Sequence, residues 1–139
     1  MDQQKSSPML FPAIGFGAFI LYIIFEANRG QLPESVQWYR SVPGSDTTSH
    51  FLLIGTLALL VNLAWRAATM QVLGVSVLRG TFWVALFVVL EELSQMALPT
   101  RTFSLLDLSA DLLGIALASF IVLRMKARSA RLRSSESSR

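Results

Sequence analysis

The stretch Phe103–Leu123, FSLLDLSADLLGIALASFIVL, decides the fold class of this chain. Its length is close to the roughly 20 residues that an α-helix needs to cross about 30 Å of hydrocarbon. Its apolar residues do not alternate with polar ones, which argues against a strand of a membrane barrel. The stretch therefore predicts a transmembrane helix, although it carries Asp107 and Asp111 in its first half.

Three more apolar segments lie upstream, at 9–27, 50–66 and 81–98. A signal peptide is the competing interpretation of the first segment, but that segment is long and lacks a clear small-x-small cleavage site. Of the 139 residues, 53% are hydrophobic and only 15% are charged. A soluble chain of this length would struggle to bury so much apolar surface. The sequence therefore predicts an all-α fold, a four-helix transmembrane bundle.

The connections between these segments differ in kind. Residues 28–49 are polar and contain Pro33, Pro43 and Gly44, so they predict an irregular loop. Pro99–Thr102 is so short that the third and fourth helices should form an antiparallel hairpin. Residues 1–126 are predicted to form the membrane domain, and the Ser- and Arg-rich residues 127–139 a disordered basic tail.

The distribution of basic residues predicts the orientation of the bundle. With four spans, the N-terminus, the second connection and the C-terminus share one side, which carries nine of the twelve basic residues. Such an excess marks the cytoplasmic side, so both termini are predicted to be cytoplasmic in a multi-pass protein of the inner, cytoplasmic membrane. Half of the basic residues lie at positions 124–139, a stretch that has no aromatic side chains. Membrane lipids are therefore expected partners and nucleic acid is not.

Polar side chains from three stretches of chain map to the outer half of the predicted bundle. A carboxylate at the centre of a membrane helix costs about 2.5–3.5 kcal/mol, so these groups should face the bundle interior or a water-filled cavity. Gly114 and Ala118 continue the stripe of Asp107 and Asp111, and small residues there predict a close helix–helix approach. The sequence predicts one outward-facing polar cluster, formed by Asp46, His50, Glu92, Gln95, Arg101, Asp107 and Asp111. Within it, Arg101 should lie close enough to Asp107 or Glu92 to offset part of their charge.

Structural interpretations compete with functional ones for several members of this cluster. Ser104 and Asp107 have the spacing of a capping box at a helix start. Arg101 has the position of a head-group anchor, and a lone histidine at a membrane interface is often only an amphipathic residue. Glu92 and Asp111 lie at no helix end, so capping does not explain either of them.

Metal and cofactor chemistry is not predicted. The chain has no cysteine, which excludes disulfides and thiolate metal sites. A hard cation held by His50, Glu92, Asp107 and Asp111 is chemically feasible, whereas a single histidine argues against catalytic zinc. The sequence therefore predicts neither a metal ion nor a cofactor.

Short motifs in this region resemble those of the VanZ-like family. They are DTTSHF at Asp46–Phe51, ELSQ at Glu92–Gln95, PTR at Pro99–Arg101, Asp107 itself and DLLG at Asp111–Gly114. The family pattern is roughly D-K-x-x-H-F, E-x-x-Q, P-x-R, D and N-x-x-G, so Thr47 replaces a lysine and Asp111 an asparagine. Both departures make the cluster more acidic. The resemblance implies a bacterial-type envelope protein linked to resistance to the glycopeptide antibiotic teicoplanin.

The functional hypothesis is binding or processing of a lipid-linked or glycopeptide ligand at the outer leaflet. His50 would act as a base or hydrogen-bond donor oriented by Glu92 or Asp107, since imidazole and carboxylates are the plausible acid–base groups. Arg101 would contact a phosphate or carboxylate, together with ligand contacts from Asp46, Gln95 and Asp111. A non-enzymatic scaffold or accessory subunit and a small transporter or proton relay remain the alternatives.

Overall fold

The chain folds into five helices and one hairpin over residues 7–99 and 101–137, which the computed structural model describes. About 73% of it is helical, so the predicted helical character is confirmed. The elements in chain order are α1 (Leu10–Asn28), α2 (Glu34–Arg40), α3 (Ser45–Ala64), β1 (Thr69–Val72), β2 (Val75–Leu78), α4 (Arg79–Gln95) and α5 (Leu105–Ser137).

Three of these helices, and not the predicted four, are long and apolar enough to cross a membrane. They are α1, α3 and α5. α4 has only 17 residues, and it includes Arg79 at its start and Glu91 and Glu92 near its end. Charged groups at both ends shorten the apolar part of α4, so the prediction of four spans is wrong.

A two-stranded antiparallel sheet follows α3 and corrects the prediction of an all-α fold. β1 and β2 pair with Val72 opposite Val75. Leu73 and Gly74 make the two-residue turn between them, with φ of 50° and 82°. Positive φ at both positions gives the turn a twist that matches paired strands, and glycine accepts such a φ without steric cost.

The connection predicted to be an irregular loop, residues 28–49, is partly helical. Pro33 lies immediately before α2, and Gly44, with φ of 78°, lies immediately before α3. α3 therefore begins at Ser45, more than one turn before the predicted start of the second helix. This earlier start places Asp46 and Thr47 on the same helix as His50.

The predicted disordered tail, 127–139, is helical as far as Ser137. Alanine, leucine and arginine are strong helix formers, and they supply many of its residues. The side chains of 128–135 are exposed, so this part of α5 extends beyond the packed bundle. Residues 138–139 lie outside the described residues.

Side-chain contacts fix the directions of the long helices. Near the end of α3, Asn62 Nδ2 donates to Thr81 Oγ1 of α4 at 3.0 Å, and the hydroxyls of Thr81 and Ser119 of α5 lie 2.6 Å apart. Near the start of α3, His50 contacts Asp111 of α5. α3 and α5 therefore run in the same direction, and α4 begins beside the end of α3 and runs back toward its start.

The bundle has two ends of different chemistry. The hairpin end contains β1, β2 and Asn62, and Ser7 Oγ donates to the carbonyl of Leu63 there, at 3.4 Å. Lys126 Nζ donates to the carbonyl of Ala67 at the same end, at 3.0 Å. The start of α1 and the extension of α5 thus share the hairpin end. The opposite, acidic end contains the cluster around His50. The cytoplasmic location of the termini stays a prediction.

An apolar layer separates the polar groups of the two ends. This buried layer consists of Ile20, Ile54, Leu57, Ala58, Val84, Val88, Ile115 and Ala118.

The outer face of α1 carries large exposed apolar side chains. Phe11 and Ile14, for example, are 75% and 60% exposed, as expected for a helix that faces lipid.

α3 and α5 cross closely at Gly55 and Gly114. A Cβ added at Gly114 would overlap the carbonyl oxygen of Phe51 and lie 3.1 Å from the amide nitrogen of Gly55. Helices whose contact residues lack side chains can bring their backbones together. The predicted close approach at Gly114 is confirmed, and this crossing sets the distance between His50 on α3 and Asp111 on α5.

Candidate functional site

His50 and Asp111 form the pair at the centre of the acidic end. Both carboxylate oxygens of Asp111 lie 3.2 Å from Nδ1 of His50. The side chain of Asp111 is 2% exposed and that of His50 is 20% exposed. A carboxylate that accepts a hydrogen bond from Nδ1 fixes the orientation of the ring and leaves Nε2 available for another partner.

Glu92 lies almost fully buried beside the start of α5. It is 1% exposed, and its carboxylate accepts hydrogen bonds from the backbone N–H of Ser104 at 3.2 Å and from Gln95 Nε2 at 3.3 Å. The position of Glu92 in the last turns of α4 brings its carboxylate to the backbone N–H of Ser104, immediately before α5. The contact joins α4 to α5 across the short connection between them.

The predicted capping box at the start of α5 is half formed. Ser104 Oγ accepts a hydrogen bond from the backbone N–H of Asp107 at 3.2 Å, as an N-cap serine does. The reciprocal hydrogen bond of a capping box, from the N–H of Ser104 to Asp107, is replaced, because that N–H donates to Glu92. The carboxylate of Asp107 instead accepts a hydrogen bond from Thr47 Oγ1 of α3 at 2.7 Å. Asp107 therefore faces α3 and the cluster.

Arg101 pairs with Glu91, so the expected contact of Arg101 with Asp107 or Glu92 is corrected. Nη2 of Arg101 lies 3.6 Å from Oε1 of Glu91, and both side chains are 12% exposed. Gln95 Nε2 also donates to Oε2 of Glu91, at 2.8 Å. Glu91 lies one turn before Gln95, so these two side chains lie on the same face of α4.

The structure brings the predicted site residues together at the acidic end, although they come from three helices and one turn. One nitrogen of His50 and one oxygen each of Glu92 and Asp107 lie within 4.8 Å of one another. Asp111 orients His50, Gln95 contacts Glu92, and Asp46 shares a cavity wall with His50 and Arg101. The catalytic and ligand-binding roles of these residues stay predictions.

A cavity of about 240 Å³ adjoins the cluster. Its polar wall contains Asp46, Ser49, His50, Glu91, Arg101 and Asp111, and Leu32 and residues of α1, α2, α3 and α4 line the rest. Phe19 and Tyr39 also line it, yet they are 48% and 40% exposed, so the cavity reaches the outer surface of the bundle. The site therefore combines an apolar groove with a polar end.

Sequence reasoning missed three contributors to the site. Thr47 binds Asp107, Glu91 binds Arg101 and Ser104 binds Glu92. Thr47 lies three residues before His50, so an earlier start of α3 would have placed both on one helix face. The four-residue spacing of Glu91 and Gln95 is visible in the sequence, but it does not predict that Glu91 pairs with Arg101.

Comparison of the chain with protein-family models, curated proteins and solved structures found no match. The fold and the site define only a broad class for this chain. It is a helical protein with three helices that could cross a membrane, consistent with a multi-pass membrane protein. A cluster of buried ionisable groups lies at one end of its bundle.

Proposed function

We propose that the acidic end and its cavity bind a lipid or lipid-linked molecule of the outer leaflet. The observation that carries the proposal is the composition of the cavity wall, which is apolar along α1, α2, α3 and α4 and polar at His50 and Arg101. An amphipathic molecule matches both parts, with its chain in the groove and its head group at the polar end. Apolar pockets with a few converging polar groups are the usual form of small-molecule sites.

The volume of the cavity favours part of a lipid over a whole glycopeptide. Sites that bury a drug-sized molecule measure about 300–1,000 Å³, and this cavity measures about 240 Å³. It has room for a section of chain. The VanZ-like resemblance, the envelope setting and the link to teicoplanin resistance rest on the motifs alone and belong to the same proposal.

The His50–Asp111 pair supports hydrogen bonding or proton transfer at the head group. Asp111 takes the orienting position that the sequence assigned to Glu92 or Asp107. His50 Nε2 is the atom through which the ring would accept or donate a proton. The guanidinium of Arg101 offers several N–H donors in one plane, and its contact with Glu91 holds it in the cavity wall.

The apolar layer between the two ends favours ligand binding over a proton relay. A relay needs polar groups through the depth of the bundle. In the described residues, the polar contacts at Asn62 and those at His50 are separated by Ile54, Leu57 and Val88. A scaffold function would need neither the cavity nor the oriented histidine.

Filling the groove should displace the bound molecule. Val36 of α2 is half-buried and lines the cavity, so Val36→Trp would occupy part of the space for the chain. We expect native mass spectrometry of the detergent-purified protein, with and without an added short polyprenyl phosphate, to show a bound species that Val36→Trp loses.

The matched control is Ser35→Trp, which adds the same side chain at an exposed position of the same helix. It should retain the bound species. Equal occupancy in both variants, or no bound lipid in the unchanged protein, would contradict the proposal.

We further propose that the hairpin end faces the cytoplasm. Arg66, Arg79, Arg124 and Lys126 lie toward that end, and the positive-inside bias places such residues on the cytoplasmic side. Reporter fusions after Arg79 and at the C-terminus should be active inside the cell, and a fusion near Pro33 should be active outside. A C-terminal reporter that is active only outside would reverse the assignment.

A further inference from the structure

His50, Glu92 and Asp107 bring three metal-ligating side chains to one point from three different helices. The three ligand atoms lie within 4.8 Å of one another. Ligand distances of about 2.0–2.6 Å place opposed donors about 4–5 Å apart, so a bound cation would require little movement of these side chains. Because α3, α4 and α5 each supply one donor, the arrangement is a product of the fold and not of one local sequence.

The contact between His50 and Asp111 has the form that accompanies metal-bound histidines. A histidine that binds a metal through one nitrogen usually donates a hydrogen bond from the other nitrogen to a carboxylate. Both oxygens of Asp111 lie 3.2 Å from Nδ1 of His50, so a metal ion bound through Nε2 would leave this contact in place. Asp111 would then orient the ligand without touching the metal ion, and the ion would occupy Nε2 in place of a proton.

The charges of the site also call for a cation. Glu92 is 1% exposed, and among the described residues it forms no ion pair; its hydrogen-bond donors are the neutral groups of Gln95 and Ser104. Asp107 accepts from the neutral hydroxyl of Thr47. Buried carboxylates are normally paired with a positive group or bind a metal. Arg101 does not meet this need, because it is placed against Glu91.

The adjoining cavity provides an independent observation, since His50 and Asp111 form part of its wall. A cation at the three ligand atoms would lie next to that wall, within reach of a head group in the groove. The positive charge would also explain how an end rich in carboxylates attracts a phosphate.

We propose that His50, Glu92 and Asp107 form a divalent-cation site, with Asp111 as the residue that orients His50. Two carboxylates favour hard cations such as Mg²⁺, Mn²⁺ and Ca²⁺, and one imidazole extends the range to borderline ions. The site revises the sequence-based prediction of no metal ion. It rests on the ligand geometry and holds whether or not a lipid binds in the groove.

Manganese is the probe that tests the site. The full-length protein, purified in detergent and treated with a chelator, is titrated with Mn²⁺ and followed by electron paramagnetic resonance. We expect one bound ion per chain and a nitrogen coupling from the His50 ring. Glu92→Gln and Asp107→Asn should each weaken the binding by at least about tenfold, and competition with Mg²⁺, Ca²⁺ and Zn²⁺ ranks the natural candidates.

Glu34→Gln is the matched control, because it removes an exposed carboxylate of α2 that lies outside the three ligands and outside the cavity wall. It should leave Mn²⁺ binding unchanged. The nitrogen coupling is measured on the unchanged protein, so the test survives if a variant fails to fold. No stoichiometric binding, no nitrogen coupling, or an equal loss in Glu34→Gln would overturn the site. Lipid occupancy is measured separately, so failure here is distinct from failure of lipid binding.

Discussion

Gly114→Ala should destabilise the protein more than any other single-methyl addition at a described glycine of α1, α3 or α5. The new Cβ would overlap the carbonyl oxygen of Phe51, which is a backbone atom and cannot rotate away. Overpacking of this kind costs about 1–3 kcal/mol, and at a backbone contact we expect the upper part of that range. Thermal unfolding in detergent, followed by circular dichroism, measures the loss.

Gly15→Ala is the control for this change. No atom lies within 4 Å of a Cβ added at Gly15, and the position is exposed on α1. Alanine is a better helix former than glycine by about 1 kcal/mol, so this variant should be as stable as the unchanged protein or slightly more stable. If Gly114→Ala were equally well tolerated, the close crossing of α3 and α5 would be contradicted.

Replacing His50 should weaken lipid binding even where the fold is preserved. His50→Leu alone leaves Asp111 as a 2% exposed carboxylate without its partner, which destabilises the bundle as well as the site. The double variant His50→Leu/Asp111→Leu removes both polar side chains and replaces them with apolar ones. Such replacements of buried pairs are often neutral or stabilising, so the double variant should fold.

We expect the double variant to bind the polyprenyl phosphate about 10–100-fold more weakly, in line with about 1.5–3 kcal/mol for a hydrogen bond to a charged group. Asp111→Asn is the conservative comparison, because an asparagine oxygen can still accept the hydrogen bond from His50 Nδ1. It should retain binding, and asparagine is also the residue of the resembled family at this position. Unchanged lipid affinity in the double variant would show that His50 has no part in binding.

The positions of the buried acids could be predicted from the sequence because the cost of exposing them to lipid leaves few choices. Glu92 and Asp111 lie inside apolar segments, so only helix packing could shield them, and they are 1% and 2% exposed. The glycine at 114 was predictable for a related reason, since small residues on the same helix face permit close packing. The general location of the cluster followed from these two arguments.

The pairing within the cluster could not be predicted, because it depends on helix starts and side-chain directions. Arg101 had three acids within reach along the chain, and the structure pairs it with Glu91. The spacing of Ser104 and Asp107 predicted a capping role for Asp107. In the structure, the N–H of Ser104 donates to Glu92, and Asp107 accepts a hydrogen bond from Thr47. These choices are made by the packing of α3, α4 and α5, which sequence spacing does not describe.

The number of possible spans and the end of α5 differed from prediction for local reasons. Residues 81–98 look continuous in hydropathy, yet α4 ends at Gln95 and carries charges at both ends. The tail lacks apolar residues to bury, which predicted disorder, but its arginines, alanines and Leu132 favour helix once α5 provides a start. Nucleation by an adjoining helix is not visible in the composition of the tail.

The most direct test of lipid binding is an experimental structure of the protein in lipid nanodiscs that contain a short polyprenyl phosphate. Elongated density should run along the groove beside Phe19 and Ile54 and end in a head group near His50 and Arg101. A groove closed by its own side chains, or density confined to the outer faces of α1 and α5, would contradict the proposed function.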